Sequence, residues 1–308
     1  MWDLRDLRGC GTALVTPFRS KGEVDEAALR RLVTYQLQEG IDFLVPCGTT
    51  GESPTLGHEE YLRVISLVVK EAKGKVPVVA GAGGNCTRKV IDLIQALQPL
   101  DVDGILSVSP YYNKPTQEGL YQHYCAIAAS TDLPIILYNV PSRTSSNIAP
   151  QTVARLSRIP NIVGVKEASG NLVQVSEIVR TAEPGFRVIS GDDALTLPMI
   201  GVGGVGVISV AANEAPGPMS KLVRLALENH WEEARKLNAH LLPLMQANFI
   251  ETSPIPVKAA LAMMGLIKEV YRLPLVPMSA ENRARLEKVL YDVTLLKREK
   301  TPALLHPK

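Results

Sequence analysis

Short apolar segments alternate with segments of helical periodicity eight times before residue 230. The apolar segments span 11–17, 41–46, 76–80, 104–109, 134–139, 162–166, 186–190 and 205–210. They lack the polar alternation of strands that face water, which is typical of parallel strands buried on both faces. Parallel neighbours must be joined by crossovers, and eight such units form a TIM barrel of about 250 residues. The sequence therefore predicts an α/β fold, a TIM (β/α)8 barrel.

The pattern changes near residue 230, where the apolar segments stop and helical stretches follow at about 231–247, 254–265 and 280–298. Several prolines separate these stretches, as expected of a residue that breaks or bounds helices. We therefore expect a barrel with the catalytic site over 1–229 and a C-terminal helical extension with a tail over 230–308. The charged run at 297–302 is interpreted as a solvated, frayed tail.

Composition argues against several classes of function. The formal net charge is +2 and no basic stripe is interleaved with aromatic residues, so we expect neither a nucleic-acid nor a membrane partner. The amino terminus lacks the order of a signal peptide, and no apolar run reaches the length of a membrane span. The four cysteines are far apart and the five histidines form no ligand pair, which predicts a cytoplasmic protein without a metal.

The sixth apolar segment ends on a lysine, Lys166. Strict alternation along a strand places Lys166 and Gly164 on one face, together with Ile162. Val163 and Val165 then face the other side. Partial removal of an ammonium from water favours the neutral, nucleophilic amine that Schiff-base chemistry needs. The alternative is a lysine that buries its stem and keeps its charge in water, and the strand alone does not decide between the two.

Other polar side chains follow the remaining predicted strands. They are Thr16, Thr49, Thr50, Tyr111, Tyr112, Asn113, Tyr138, Asn139, Arg143, Asp192 and Asp193. Because a TIM barrel carries its active site at the carboxyl ends of its strands, hydroxyls, a guanidinium and an amine converge on one rim. Arg143 could be a surface residue, but a guanidinium on this rim also suits a substrate carboxylate.

Several of these residues also have purely structural interpretations. Thr49 and Thr50 could bond the local backbone of a glycine-flanked turn. Tyr111 and Tyr112 could pack at an interface between subunits, where tyrosine is enriched. For Asp192 we favour a structural role as the cap of the following helix, since aspartate is preferred there.

Four strand ends carry motifs in register: Gly-Thr-Thr-Gly-Glu at 48–52, Pro-Tyr-Tyr-Asn-Lys-Pro at 110–115, Tyr-Asn-Val-Pro-Ser-Arg-Thr at 138–144 and Gly-Val-Lys-Glu-Ala at 164–168. Gly-Asp-Asp at 191–193 and Pro-Ile-Pro-Val-Lys at 254–258 fit the same pattern. Together they resemble the dihydrodipicolinate synthase (4-hydroxy-tetrahydrodipicolinate synthase) family, up to about residue 293. One motif would be a weak signal, but four in order are highly specific.

The resemblance implies a Schiff-base-forming lyase of the class I aldolase type. Such an enzyme condenses pyruvate with L-aspartate 4-semialdehyde in lysine and diaminopimelate biosynthesis. It needs no cofactor, since pyruvate is held covalently by the lysine that matches Lys166. By the same resemblance, Tyr138 moves protons at the reacting centre, and Thr49 and Tyr112 complete a hydroxyl relay.

Substrate binding is also assigned by the resemblance. Thr50, Gly191 and Ile208 would hold the pyruvate carboxylate and line its pocket. Arg143 would bind the carboxylate of the semialdehyde, and an arginine there favours the synthase over N-acetylneuraminate lyases, which have an apolar residue at that place. The tyrosine matching Tyr112 reaches into a neighbouring subunit, so a homo-oligomer is expected, usually a dimer of dimers.

Lysine-inhibited members of the family have an allosteric pocket at the dimer interface. The matching residues present here are Ser53, His58, Asn85 and Tyr111. A second histidine and a glutamate are replaced by Tyr61 and Lys89. Because Lys89 repels the ammonium groups of a lysine ligand, we hypothesise that feedback inhibition is weak or absent.

Two other functions stay open at this stage. One is a related pyruvate-dependent lyase, aldolase or hydratase that acts on another 2-keto acid with the same lysine. The other is a barrel that binds a keto acid without catalysis. A binding protein has no need for a nucleophile and a proton relay together, which argues against the second alternative.

Overall fold

The computed structural model describes residues 2–297. Within this range the strands are β1 (Gly9–Ala13), β2 (Phe43–Val45), β3 (Val79–Gly81), β4 (Gly104–Val108), β5 (Ile135–Asn139), β6 (Ile162–Glu167), β7 (Arg187–Ser190) and β8 (Gly206–Ser209). They pair in parallel in the order β2-β1-β8-β7-β6-β5-β4-β3. A parallel bridge between Leu44 and Val78 joins the two outer strands. The nearly closed barrel predicted from the sequence is therefore confirmed.

Helices surround the barrel and follow its strands in turn. They are α1 (Glu26–Gln38), α2 (His58–Ala72), α3 (Thr87–Leu97), α4 (Gln117–Ala128), α5 (Pro141–Thr144), α6 (Pro150–Leu156), α7 (Leu172–Thr181), α8 (Thr196–Gly201) and α9 (Pro216–Leu227). Their apolar stripes face the sheet: in α1, for example, Leu29, Leu32 and Val33 are buried, and Asp25 caps the first turn.

Two apolar layers hold the barrel together. The first fills its interior, where inward side chains from all eight strands pack around Phe43, Leu106 and Ile136. Leu4 and Leu7 from the amino-terminal turn join this cluster. The second, larger layer lies between the sheet and the helices. Side chains that alternate across buried strands supply both layers, which explains the uninterrupted apolar runs in the sequence.

The prediction of strict alternation along β6 is wrong. Val163 packs in the barrel interior, whereas Ile162 and Val165 both pack in the outer layer. The cause is a register shift, because the pairing with β5 passes from Ile162 directly to Gly164 and leaves one extra residue in β6. Beyond this irregularity the alternation resumes, and Lys166 lies on the interior side at the end of the strand.

The C-terminal part contains α10 (Trp231–Ala247), α11 (Ile255–Met263) and α12 (Ala280–Asp292). Helix α10 packs against α8 and α9, while α11 contacts α12 and the turn that follows β8. The expected boundary at 229/230 falls between α9 and α10, and the division into two domains stays a prediction. The charged run at 297–302 begins at Lys297, which is exposed, and its other residues lie outside the described range. No helix between residues 2 and 297 is long and apolar enough to cross a membrane.

Candidate active site

A cavity of about 480 Å³ opens at the carboxyl ends of the strands, where a TIM barrel places its active site. The predicted site residues on its wall are Thr49, Thr50, Tyr138, Arg143, Lys166 and Gly191. These residues come from four different strand ends, those of β2, β5, β6 and β7, and are far apart in the sequence. The barrel therefore brings together a nucleophilic amine, three hydroxyls and a guanidinium.

Lys166 lies at the centre of this group. Its side chain is only 5% exposed, and its Nζ atom lies 4.3 Å from the centre of the Tyr138 ring. It makes no hydrogen bond or ion pair with another side chain in the described part of the protein. A buried lysine is normally paired with a carboxylate, so an unpaired amine that faces a cavity is available to react with a ligand.

The side chain of the next residue, Glu167, is turned away from the cavity, and both of its carboxylate oxygens accept hydrogen bonds. Its carboxylate accepts hydrogen bonds from Asn139 Nδ2 at 2.9 Å, from Gln174 Nε2 at 3.1 Å and from the Ser169 backbone N–H at 2.7 Å. Asn139 lies at the end of β5, so this network joins the ends of β5 and β6. It fixes the strand end from which Lys166 projects.

Thr49 and Thr50 lie in a 3-10 turn, Thr49–Gly51, directly after β2. The Thr16 hydroxyl donates to the Gly51 carbonyl at 2.7 Å, and the Glu52 N–H donates to the Thr49 carbonyl at 3.2 Å. Neither Thr49 nor Thr50 uses its hydroxyl in a hydrogen bond to any residue between 2 and 297. The turn is thus held by other groups, and both hydroxyls stay available to a ligand.

The absence of a side chain at Gly191 leaves room for the side chain of Lys166. A Cβ atom at this position would lie 2.7 Å from the Ala168 Cβ and 3.0 Å from the Lys166 Cε. Contacts this short do not occur without displacement of one of the two groups. Glycine fits at this position because both Ala168 and the Lys166 side chain pass close to the backbone.

Asp192 also lines the cavity, but the prediction that it caps the following helix is wrong. Helix α8 begins only at Thr196, and the Asp192 carboxylate accepts the Ala194 N–H at 2.9 Å. It thus stabilises a local turn before the helix. Asp193 is fully buried and accepts the N–H groups of Val210 and Ala211 at 3.1 and 2.9 Å.

The connection between α10 and α11 forms a wall of the cavity that the sequence analysis missed. Its contributors are Phe249, Glu251, Thr252 and Ser253. The Arg143 Nη2 donates to the Ser253 carbonyl at 3.3 Å, which ties the predicted carboxylate-binding residue to this segment. Hydrogen bonds from Asn282 and Ser279 lower the pKa of Glu251 and keep it ionised. The motif at 254–258 was the only sequence signal near this wall.

Two predicted residues lie elsewhere. Ile208 is buried in the barrel interior, in the same cluster as Tyr138, rather than on the cavity wall. Tyr112 is 88% exposed and has a φ of 73°, in a loop that is anchored where Asn113 Nδ2 donates to the Asn85 carbonyl at 2.9 Å. Tyr112 therefore does not reach the cavity within a single chain.

Of the residues that match the expected allosteric pocket, Ser53 and Asn85 are half-buried and Tyr111 is exposed. Tyr61 is buried, and its hydroxyl donates to the backbone carbonyls of Gly81 and Cys47. Its polar group is therefore used within the barrel. Lys89 and His58 are exposed. No group of three or more His, Cys, Asp or Glu side chains suited to a metal occurs within the described range.

Comparison with known proteins adds an independent line of argument. Residues 6–293 match the model of the dihydrodipicolinate synthetase family. The 4-hydroxy-tetrahydrodipicolinate synthase of Koribacter versatilis is 57% identical over 94% of this chain and 97% of its own length. That of Acidobacterium capsulatum is 53% identical over 94% and 97%.

Solved structures agree with these relatives. The dihydrodipicolinate synthase of Aquifex aeolicus has a TM-score of 0.92 and 46% identity, over 94% of this chain and 99% of its own. A protein described as a monomeric dihydrodipicolinate synthase variant has the same TM-score and identity, over 94% of this chain and 98% of its own.

Proposed function

The chain belongs to the dihydrodipicolinate synthetase family, and we propose that it acts as a 4-hydroxy-tetrahydrodipicolinate synthase through the cavity residues described above. This enzyme is a lyase that condenses pyruvate with L-aspartate 4-semialdehyde through a Schiff base, in lysine and diaminopimelate biosynthesis. The observation that carries the proposal is the nearly buried Lys166 amine, which faces the cavity without a carboxylate partner in the described chain.

Lys166 is the nucleophile. Its neutral amine attacks the ketone carbon of pyruvate, and loss of water leaves an imine between Nζ and the substrate. Loss of a methyl proton from this imine gives an enamine, whose carbon attacks the aldehyde of the second substrate. Ring closure through the amino group of the product then displaces Lys166 and restores the free amine. No cofactor is needed, because the imine itself draws electrons from the reacting carbon.

Tyr138 moves protons in these steps. Its ring lies against the Lys166 amine, and both residues line the cavity. A phenol is a poor base at neutral pH unless a hydrogen-bonded partner passes its proton onward. The unoccupied hydroxyl of Thr49 supplies one such partner, and Tyr112 of a second copy would supply the next.

The substrate carboxylates require donors at two places. The Thr50 hydroxyl and the backbone near Gly191 line the same cavity as Lys166 and would bind the carboxylate of pyruvate, while Ile208 supports the site from the interior cluster that it shares with Tyr138. Arg143 would bind the carboxylate of the semialdehyde, because a guanidinium offers two parallel N–H donors. Its bond to the Ser253 carbonyl leaves other N–H groups of the guanidinium for a ligand.

Tyr112 supports a proposal about assembly. A tyrosine that is 88% exposed, on a loop with a left-handed φ, is suited to contact another protein surface. We place it in the active site of a second copy of the chain, which makes a homodimer the catalytic unit and a dimer of dimers the expected assembly.

The experiment that tests this function is reduction of the protein with borohydride in the presence of pyruvate alone, followed by peptide mass mapping. A reduced pyruvate adduct on Lys166 is expected. The variant Lys166→Arg should lose the adduct, while Lys221→Arg, an exposed lysine on α9, should retain it. A folded wild-type protein that forms no adduct would contradict the proposal.

A further inference from the structure

Two opposite charges are buried behind the turn that carries Thr49 and Thr50. Lys258 on α11 is fully buried and Glu52 is 2% exposed. The Lys258 ammonium donates to Glu52 Oε1, and it lies 4.3 Å from the ring centre of Phe18 and 5.3 Å from that of Tyr271. The mechanism above uses neither charge.

Arg272 completes this cluster. Its backbone N–H donates to Glu52 Oε2 at 3.3 Å, so that both oxygens of the buried carboxylate are occupied. Its guanidinium binds Glu60 and stacks 4.4 Å from the ring centre of Phe18. Burial lowers the pKa of Lys258, and the charge of Glu52 works against that change.

Stability alone does not account for such a pair. The desolvation of two buried charges offsets most of their attraction, and well-packed apolar replacements are often equally stable or more so. A buried pair can instead specify where two segments of chain meet. The position of its two members in the chain is therefore informative.

Glu52 is directly joined to the threonine turn. Its N–H closes the turn by donating to the Thr49 carbonyl, and its φ of 54° is left-handed, which is uncommon for a residue other than glycine. Lys258 lies in the first turns of α11, directly after the cavity wall that ends at Ser253. The Ser253 carbonyl in turn receives Arg143.

We propose that Glu52 and Lys258 are positioning residues, which hold the threonine turn and the 249–253 wall in one fixed relationship across the cavity. Because the pair joins the segment that carries the Thr49 hydroxyl to the one that supports Arg143, it sets the distance between the proton relay and the second substrate. This inference rests on the proposed function for its catalytic consequence.

The test is the double variant Glu52→Gln with Lys258→Met, which removes both charges and keeps their approximate volumes. We expect it to unfold at a temperature close to that of the wild type and to form the pyruvate adduct on Lys166. The rate kcat, expressed per adduct-forming site, should fall by about ten- to a hundredfold, since a misplacement of about 1 Å has effects of this size. The KM for the semialdehyde should rise.

A purely structural pair predicts a different result. The double variant would then lose thermal stability but keep kcat per adduct-forming site within about twofold, and this outcome would overturn the inference. Should the double variant not fold, Glu52→Gln alone carries the same test, because it removes the ionic attraction of the pair and keeps the side-chain volume. The control Arg30→Gln breaks a partly exposed ion pair with Glu71, between α1 and α2, and should leave kcat unchanged.

Adduct formation and kcat separate the proposed function from the positioning role. Absence of a pyruvate adduct on the wild-type protein would remove the proposed function itself. An active wild-type enzyme whose double variant retains full kcat would remove only the positioning role.

Discussion

Lys166 and Tyr138 occupy paired positions on the neighbouring parallel strands β6 and β5, with the amine 4.3 Å from the centre of the phenol ring. The backbone register therefore places both side chains at the same end of the barrel, whatever their rotamers. The Tyr138 ring lies beside the Lys166 amine, and the methylene groups of Lys166 pass close to the backbone of Gly191, which has no side chain. A reactive group held by strands in this way loses little freedom on reaction, which favours catalysis.

Tyr138→Phe should separate imine formation from the later proton transfers. The variant keeps the ring against Lys166 and should still form the pyruvate adduct, but kcat should fall by about a hundredfold or more, as expected for loss of a general acid–base group. Steady-state kinetics and borohydride trapping of the same sample measure the two steps. Tyr124→Phe is the matched control, because that buried hydroxyl donates to the Ser107 carbonyl away from the cavity. An unchanged kcat in Tyr138→Phe would contradict the proton-transfer role.

Gly191→Ala should displace the nucleophile. The added Cβ would lie 2.7 Å from Ala168 Cβ and 3.0 Å from Lys166 Cε, so both neighbours must give way and the lysine side chain shifts by a few tenths of an ångström. We expect trapping of pyruvate on Lys166 to slow by at least about tenfold, by the argument that small misplacements have large kinetic effects. Gly201→Ala is the control, since its Cβ would meet only Trp231 at an ordinary 3.8 Å. Equal trapping rates in the two variants would show that the close approach has no functional role.

Arg143→Gln should affect the second substrate rather than the first. Its guanidinium lies on the wall formed with Ser253, and we assign it to the carboxylate of the semialdehyde. The KM for the semialdehyde should rise by about ten- to a hundredfold, since a hydrogen bond to a charged group contributes about 1.5–3 kcal/mol. The adduct with pyruvate should form at the wild-type rate. If the KM for pyruvate rose instead, the two carboxylate sites would have to be exchanged.

The sequence predicted the parts of this site that depend on local pattern and barrel topology. Apolar runs and helical periodicity identify the strands and helices, and the barrel then brings Thr49, Tyr138 and Lys166 to one rim. The register irregularity in β6 could not be predicted in this way, because it arises from pairing with β5. Strict alternation therefore assigned Val163 to the wrong side.

Two further differences have long-range or local causes. The 249–253 segment closes the cavity only because α10 and α11 pack back onto the barrel, and no local pattern encodes that return. Asp192 has the residue type of a helix cap, but an additional turn separates it from α8. The predicted role of Tyr112 requires a second copy of the chain, so the structure of a single chain does not test it.

Inhibition by L-lysine should be weak or absent. The Tyr61 hydroxyl donates to the backbone carbonyls of Cys47 and Gly81, and the exposed Lys89 would repel the ammonium groups of a lysine ligand bound in the expected pocket. Initial rates measured with up to millimolar L-lysine should stay near the uninhibited value. The variant Lys89→Glu should become more sensitive, whereas Arg88→Glu, one residue earlier on α3, should not. Half-inhibition of the wild type below about 1 mM would refute the hypothesis, because binding that tight needs about 4 kcal/mol.

His123 predicts how stability depends on pH. Its ring is buried on α4, Nδ1 lies 2.9 Å from the Thr87 hydroxyl, and Nε2 has no partner among the described residues. Burial lowers the pKa of His123 from 6.5 to about 4. As the pH drops below about 6.5, His123 is protonated in the unfolded chain but stays neutral in the folded protein until about pH 4. The free energy of unfolding therefore falls as the pH drops from about 6.5 to about 4. Between pH 7 and pH 5 the loss in the free energy of unfolding should be about 2 kcal/mol.

Denaturant unfolding at both pH values should show this loss in the wild type, and the variant His123→Gln should lose about 2 kcal/mol less. An identical pH dependence of the two proteins would mean that His123 is accessible to protons in the folded state.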